Sequence, residues 1–128
     1  MTATKTISGW AELVDWFGYS PNFHDAEVVS IDLRRQPVAS VVRIHAWRTN
    51  DDITADGHFR QDRHALVTFT LQDIQSMELI GRNHQNVLSE LMVEQSEHSF
   101  ILRLPEIYGV DGQITASEIS VSIEPYNS

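Results

Sequence analysis

There is no cysteine among the 128 residues. That excludes a disulfide framework, a thiolate metal site and a cysteine nucleophile. No apolar run approaches the ~20 residues that a membrane-spanning helix needs. The opening MTATKTISGW has one lysine and no apolar stretch, so it does not read as a secretory leader. A soluble, cytoplasmic protein is expected. The six glycines are scattered, which leaves no glycine-rich phosphate loop. No serine stands in a nucleophile-elbow pattern. Bases are scarce in the second half. Residues 65–128 hold nine acids against Arg82 and Arg103 alone, whereas residues 1–64 hold nine acids and seven bases. The net charge of −9 repels phosphate backbones, so nucleic acid is not an expected partner. A basic protein partner is attracted instead, although acidic surfaces also serve solubility alone.

Hydrophobic residues make up 41% and charged residues 21%, an ordinary globular balance. The length fits a single domain over 1–128, large enough to bury a core. Ser8 to Phe17 reads as a short helix. Ser8 is the expected cap, Glu12 lies near capping-box spacing, and Gly18 ends it. Trp10, Leu13, Val14 and Phe17 form one apolar stripe. The period then changes to two. Val29, Ile31 and Leu33 alternate with Ser30, Asp32 and Arg34, which predicts a half-buried strand. After a turn at 35–37, Ser40 to Trp47 reads as a second strand. Val42, Ile44 and Ala46 face inward there, and Val41, Arg43, His45 and Trp47 take a mixed face.

Residues 48–64 have no clear period. They read either as an irregular hairpin turning at Asp56-Gly57 or as a mobile functional loop. Further strands are expected at 65–71, 76–80, 87–95, 100–104 and 115–124. They are separated by turns at Gln72-Asp73 and 96–98, with Asp111-Gly112 in a loop. The connections are too short for parallel crossovers. The fold class is therefore α+β: a mostly antiparallel sheet of about seven strands with one N-terminal helix packed on it.

Six histidines are present, none in a recognised metal spacing, so no metal and no cofactor is expected. His24-Asp25 follows the Ser-Pro-Asn turn. It reads either as a structural lock at the helix-to-strand junction, with Asp25 accepting backbone N–H groups, or as part of a site together with Glu27. Asn83 and Asn86 in Asn83-His84-Gln85-Asn86 suit an irregular turn or a ligand contact. Trp47, on the mixed face near a strand end, is the aromatic best placed to meet a partner.

Three segments resemble the immunity protein 50 family, small bacterial proteins that neutralise partner toxins in polymorphic toxin systems. They are FGYSPNFHDAEVVSIDL (Phe17 to Leu33), HALVTFTLQDI (His64 to Ile74) and NHQNVL (Asn83 to Leu88). The first carries Phe23, His24, Asp25, Ala26, Glu27 and Val28. The third has Arg82 where the family often has an aromatic. The resemblance implies a non-enzymatic binder of a cognate protein toxin, acting by steric and electrostatic blockade of its active site. A basic, nuclease-like toxin suits the charge, and the chain is expected as a monomer or homodimer. Expected contacts are Asp51, Asp52, Asp56 and Asp62 in the polar segment, Trp47 beside it, and Glu94, Glu97 and Asp111 at other strand ends. The rival readings are a small enzyme built on His24, Asp25 and Glu27 with His45 or His64, and a self-associating module pairing through a sheet edge.

Overall fold

The computed structural model describes residues 7–21, 23–35, 37–53, 59–81, 86–95, 98–109 and 111–126, with side chains omitted at 48–53, 59–63 and 106–108. Helix α1 (Trp10–Phe17) is followed by β1 (Glu27–Asp32), β2 (Ser40–Ile53), β3 (Phe59–Ile80), β4 (Val87–Leu88), β5 (Met92–Gln95), β6 (Phe100–Leu104), β7 (Glu106–Tyr108) and β8 (Asp111–Pro125). All eight strands belong to one sheet, and every pairing between them is antiparallel. The α+β class holds. No helix among the described residues is long and apolar enough to cross a membrane.

The helix stripe is as its spacing demands: Trp10, Leu13 and Phe17 are buried, and Val14 and Trp16 pack at the margin. Each fully buried large side chain contributes roughly 1.5–3 kcal/mol. Ser8, however, is not the cap. Gly9 takes that position with φ 94°, and no side chain caps the helix. The Ser8 carbonyl instead accepts the Val121 N–H at 2.8 Å, a parallel bridge onto β8. A Cβ on Gly9 would lie 1.8 Å from the Val121 carbonyl oxygen, so only glycine admits this approach. At the other end the Gly18 N–H reaches the Val14 carbonyl at 2.7 Å.

In β2, Val42, Ile44 and Ala46 are buried and the alternate residues half-buried, as alternation predicts. In β1 the expected inward set is wrong. Val28 pairs with Ile44 and Ser30 with Arg43, which leaves Val29 as the extra residue of a bulge. Val29 and Leu33 are exposed, while Val28 is buried and Ile31 packs at the core margin. A one-residue insertion inverts every side chain before it relative to those after it. The turn into β2 is closed by Ser40, whose hydroxyl accepts the Arg34 N–H at 2.7 Å and donates to the Arg34 carbonyl at 3.3 Å.

The polar segment pairs. β2 runs to Ile53 and β3 starts at Phe59, with register shifts between Ala46/Arg48 and Thr49/Ile53. An irregular hairpin is what such a pattern makes. Its tip at Asp56-Gly57 lies outside the described residues. Glu27 of β1 pairs no further than His45, and Pro125 of β8 pairs with Ala65. The hairpin beyond Trp47 and His64 is therefore a two-stranded ribbon without other neighbours among the described residues.

Two expected strands merge in β3. The turn at Gln72-Asp73 is a kink: Asp73 has φ 57°, and the register slips between Ile74 and Ser76. The Ser117 hydroxyl donates to the Asp73 carboxylate at 2.6 Å and accepts from the Gln75 amide at 3.1 Å, pinning the slip. The inward set of β8 changes phase there, from Ile114 and Ala116 to Ile119 and Val121. Asp111 and Gly112 open β8 rather than forming a loop. They pair with Ile80 and Leu79, and a Cβ on Gly112 would meet the Glu78 carbonyl oxygen at 1.8 Å.

The strand expected at 87–95 breaks into β4 and β5, and β6 continues past Pro105 into the unexpected β7. β4 pairs with β7 and β5 with β6, so 87–108 is one bent hairpin. Its first arm also pairs with β1, and its second with β8. Both ends of the sheet therefore belong to the same hairpin, and the ring of paired strands closes on itself. One core fills it, from the helix stripe through Val42, Ile44, Phe69 and Leu71 to Leu88, Leu102 and Ile114.

The junction Phe23 to Ala26 docks the helix onto this ring. Phe23 and Asp25 both adopt left-handed backbone, φ 65° and 67°. Such conformations cost about 1–2 kcal/mol for a residue with a Cβ, less for aspartate. They are held by Phe23 burying its ring edge-on to Trp10 and Phe69 at 6.2 and 6.0 Å, and by the Asp25 N–H on the Leu88 carbonyl at 2.9 Å. The Asp25 side chain itself is exposed and accepts no backbone bond among those observed across the turn, contrary to the expected lock. The lock is its backbone. Asp25→Gly is expected to leave urea-unfolding stability unchanged or slightly raised, and Asp25→Val to lower it by about 1–2 kcal/mol.

Candidate functional site

His24 and Asp25 face outward, with side chains 61% and 57% exposed and 3.6 Å apart. His24 Nδ1 meets the Ser89 carbonyl at 2.7 Å, which requires the ring to carry its proton there. Around it the Leu88 N–H donates to the Ala26 carbonyl, the Val28 N–H to the Asn86 carbonyl and the Ser89 N–H to the Pro105 carbonyl, at 2.8–2.9 Å. This region fastens β1 to the closing hairpin. Asn86 serves it through its backbone; Asn83 lies outside the described residues.

Glu27 looks elsewhere. It pairs with His45, on the outer face of the sheet. There β2, β3 and the end of β8 bring together His45, Trp47, His64 and Tyr126. His45 Nε2 and His64 Nδ1 are 3.0 Å apart. The His45 ring lies 5.1 Å from His64, 5.1 Å from Trp47 and 4.5 Å from Tyr126, and Trp47 lies 5.9 Å from His64. Their convergence follows from the strand ends. His45 and Trp47 share one face of β2, His64 stands on the matching face of β3, and the Tyr126 N–H donates to the His64 carbonyl at 3.1 Å. The tryptophan was legible as outward-facing. The imidazole pair was not, because it depends on the register of β2 against β3, which sets Leu66 opposite His45 and Ala65 opposite Ala46.

In such a pair one imidazole donates its N–H to the bare nitrogen of the other. Burial pushes the His45 pKa down, the neighbouring His64 adds to that, and Glu27 pulls weakly upward. The cluster can offer a donor or acceptor to a partner group, and two aromatic walls suited to a lysine or arginine. Among the described residues, no three histidine, aspartate or glutamate side chains group as metal ligands.

The expected partner contacts fall into two places. Trp47, Asp51, Asp52 and Asp62 belong to the ribbon and its root, and Asp56 is outside the described residues. Glu94 and Asp111 lie at the opposite end of the sheet, and Glu97 is outside the described residues. Glu94 is held by Arg103 at 2.8 Å, and that hydrogen bond keeps its carboxyl below the usual range. Arg103 also reaches Gln113, and with Glu78, Met92 and Asp111 they line a shallow open pocket. A second shallow pocket lies between Ile7, Gln72, Phe100 and Ile119. Neither contains His24, Asp25 or Glu27. Along β3, Asp62 and Ile80 are separated by on the order of 60 Å of extended chain.

Because the His45 pKa is depressed in the folded chain, the unfolded chain binds more protons as pH falls through the ordinary histidine range. Stability is therefore expected to decline as pH drops from about 6.5 toward the folded-state pKa. Thermal melts across that window should show the decline in the native chain and a flatter profile in His45→Gln.

The family model described as immunity protein 50 matches residues 9–126, nearly the whole chain. No curated protein and no solved structure gives a match.

Proposed function

We propose a function from one premise: the chain belongs to the immunity protein 50 family. It acts in the cytoplasm as a non-enzymatic immunity protein that binds a cognate, basic toxin and covers its active site. The docking face is the ring cluster of His45, Trp47, His64 and Tyr126 with the ribbon that rises from it. The observation that carries this reading is the cluster itself. Two imidazoles, an indole and a phenol meet on the solvent side of a sheet whose outer face is otherwise mostly polar. Tryptophan and tyrosine are enriched among residues that dominate binding energy, and a basic side chain seated on their faces gains a cation–π contact.

The acids Asp51, Asp52, Asp56 and Asp62 flank that cluster in sequence, and the net charge of −9 steers a basic partner toward the chain. A narrow two-stranded projection is a shape that enters a cleft. His24, Asp25 and Asn86 serve this function indirectly, by holding β1 and hence Glu27 and His45 in place. Glu94 and Asp111 lie outside this contact.

The test is binding and protection with the toxin encoded beside this protein. Trp47→Ala is expected to weaken binding at least ~30-fold, an anchor effect of about 2 kcal/mol, with an unchanged melting temperature. Replacing 50–62 by a short turn should leave the fold intact and abolish both binding and cell rescue. Full-strength binding by both variants would overturn the assignment of this face.

A further inference from the structure

The closed ring has one open flank. β3 pairs with β2 only as far as Leu71, opposite Ser40, whereas its pairing with β8 continues to Ile80. Residues 73–80 therefore have β8 on one side and no strand on the other among the described residues. Asp73 and the residues 75–78 are exposed, as is Ile80. Ile80 is 69% and Met77 42% exposed, unusual for large apolar side chains. At the start of this flank the β1–β2 turn adds Val38, 58% exposed, and Leu33, 40%.

Natural sheets blunt such an edge with lysine, proline or a covering loop. The segment Asp73-Ile-Gln-Ser-Met-Glu-Leu-Ile80 contains no lysine, arginine or proline. We infer that this edge pairs with the same edge of a second copy, antiparallel about a two-fold axis at Met77, so that two sheets join into one.

The register follows from the pleat. Directly opposed residues in an antiparallel pair share a face, so a two-fold pairing must place a residue opposite itself or opposite one of equal parity. Centring on Glu78 would set two carboxylates face to face. Centring on Met77 sets methionine against methionine and Ser76 against Glu78, both within the regular stretch beyond the slip at Ile74/Ser76. No like charges are directly opposed. Met77 lies on the inward side, since it pairs with the buried Ile114, so its thioether extends the apolar layer across the seam. This flank lies at the far end of β3 from His45 and His64, so the pairing is independent of toxin docking and leaves that face clear.

The charge gives the proposal a signature. Each copy carries −9, so self-pairing works against long-range repulsion and should tighten as salt rises. A basic strand captured at the same edge would loosen with salt. Sedimentation velocity of the full chain over a wide concentration range is expected to show the mass rising from 14.6 kDa toward twice that value, with a dissociation constant that falls at higher ionic strength. Ile80→Lys and Met77→Lys are expected to weaken the dimer at least tenfold, with Val29→Lys, on β1, as a surface control without effect. Hydrogen exchange of the native chain supplies a readout free of substitutions, with protection of 73–80 increasing with concentration. A monomer at every concentration and salt, a dimer insensitive to both lysines, dissociation by salt, or protection appearing elsewhere would each overturn the inference.

Discussion

The fold depends on one aromatic wedge held in an unfavourable backbone conformation. Phe23 sits in the left-handed region and inserts between Trp10 of the helix and Phe69 of the central strand. An amphipathic helix of eight residues is too short to persist alone in water, so its position is tertiary in origin. The wedge supplies it. The same turn presents the Asp25 N–H and the His24 ring to carbonyls at Leu88 and Ser89 of the bent hairpin. Helix docking, ring closure and the entry of β1 are thus set by three consecutive residues, and the strain at Phe23 and Asp25 is offset by burial and by these bonds.

The segment most suggestive of chemistry in the sequence, Phe23 to Val28, is therefore mainly architectural. Its histidine and aspartate resemble a site because polar residues at a tight turn and polar residues at an active centre are drawn from the same set. Position separates them. The His24 ring is committed to the Ser89 carbonyl between β4 and β5, whereas His45 faces a second imidazole among aromatic rings. Glu27 is the hinge between the two regions, next to the turn in sequence and opposite His45 in the sheet.

Much of the architecture was legible where a single period ran undisturbed. The helix stripe from Trp10 to Phe17 and the alternation through β2 follow from spacing alone. Reading failed wherever the backbone leaves its period. One extra residue at Val29 exchanged the two faces of β1, and the kink at Asp73 hid the continuity of β3. Gly112, which reads as a loop residue, is there because a carbonyl of Glu78 passes too close for any side chain. Pro105 does not end the strand expected at 100–104 but bends the chain into β7. Of the candidate site, Trp47 was visible by its face, but its neighbours His64 and Tyr126 arrive from strands far away in sequence. No local pattern encodes that meeting.

The shared hairpin has a consequence for how the chain assembles. Its two arms must find β1, some sixty residues earlier in sequence, and β8, which is made after it. Neither partner can be satisfied until both rims exist, so the hairpin acts as a keystone set last into an arch. Contacts of such long separation in sequence are slow to form because loop entropy is lost before any bond rewards it. Until the hairpin is seated, Leu88, Leu102 and Leu104, which the finished ring buries completely, stay uncovered.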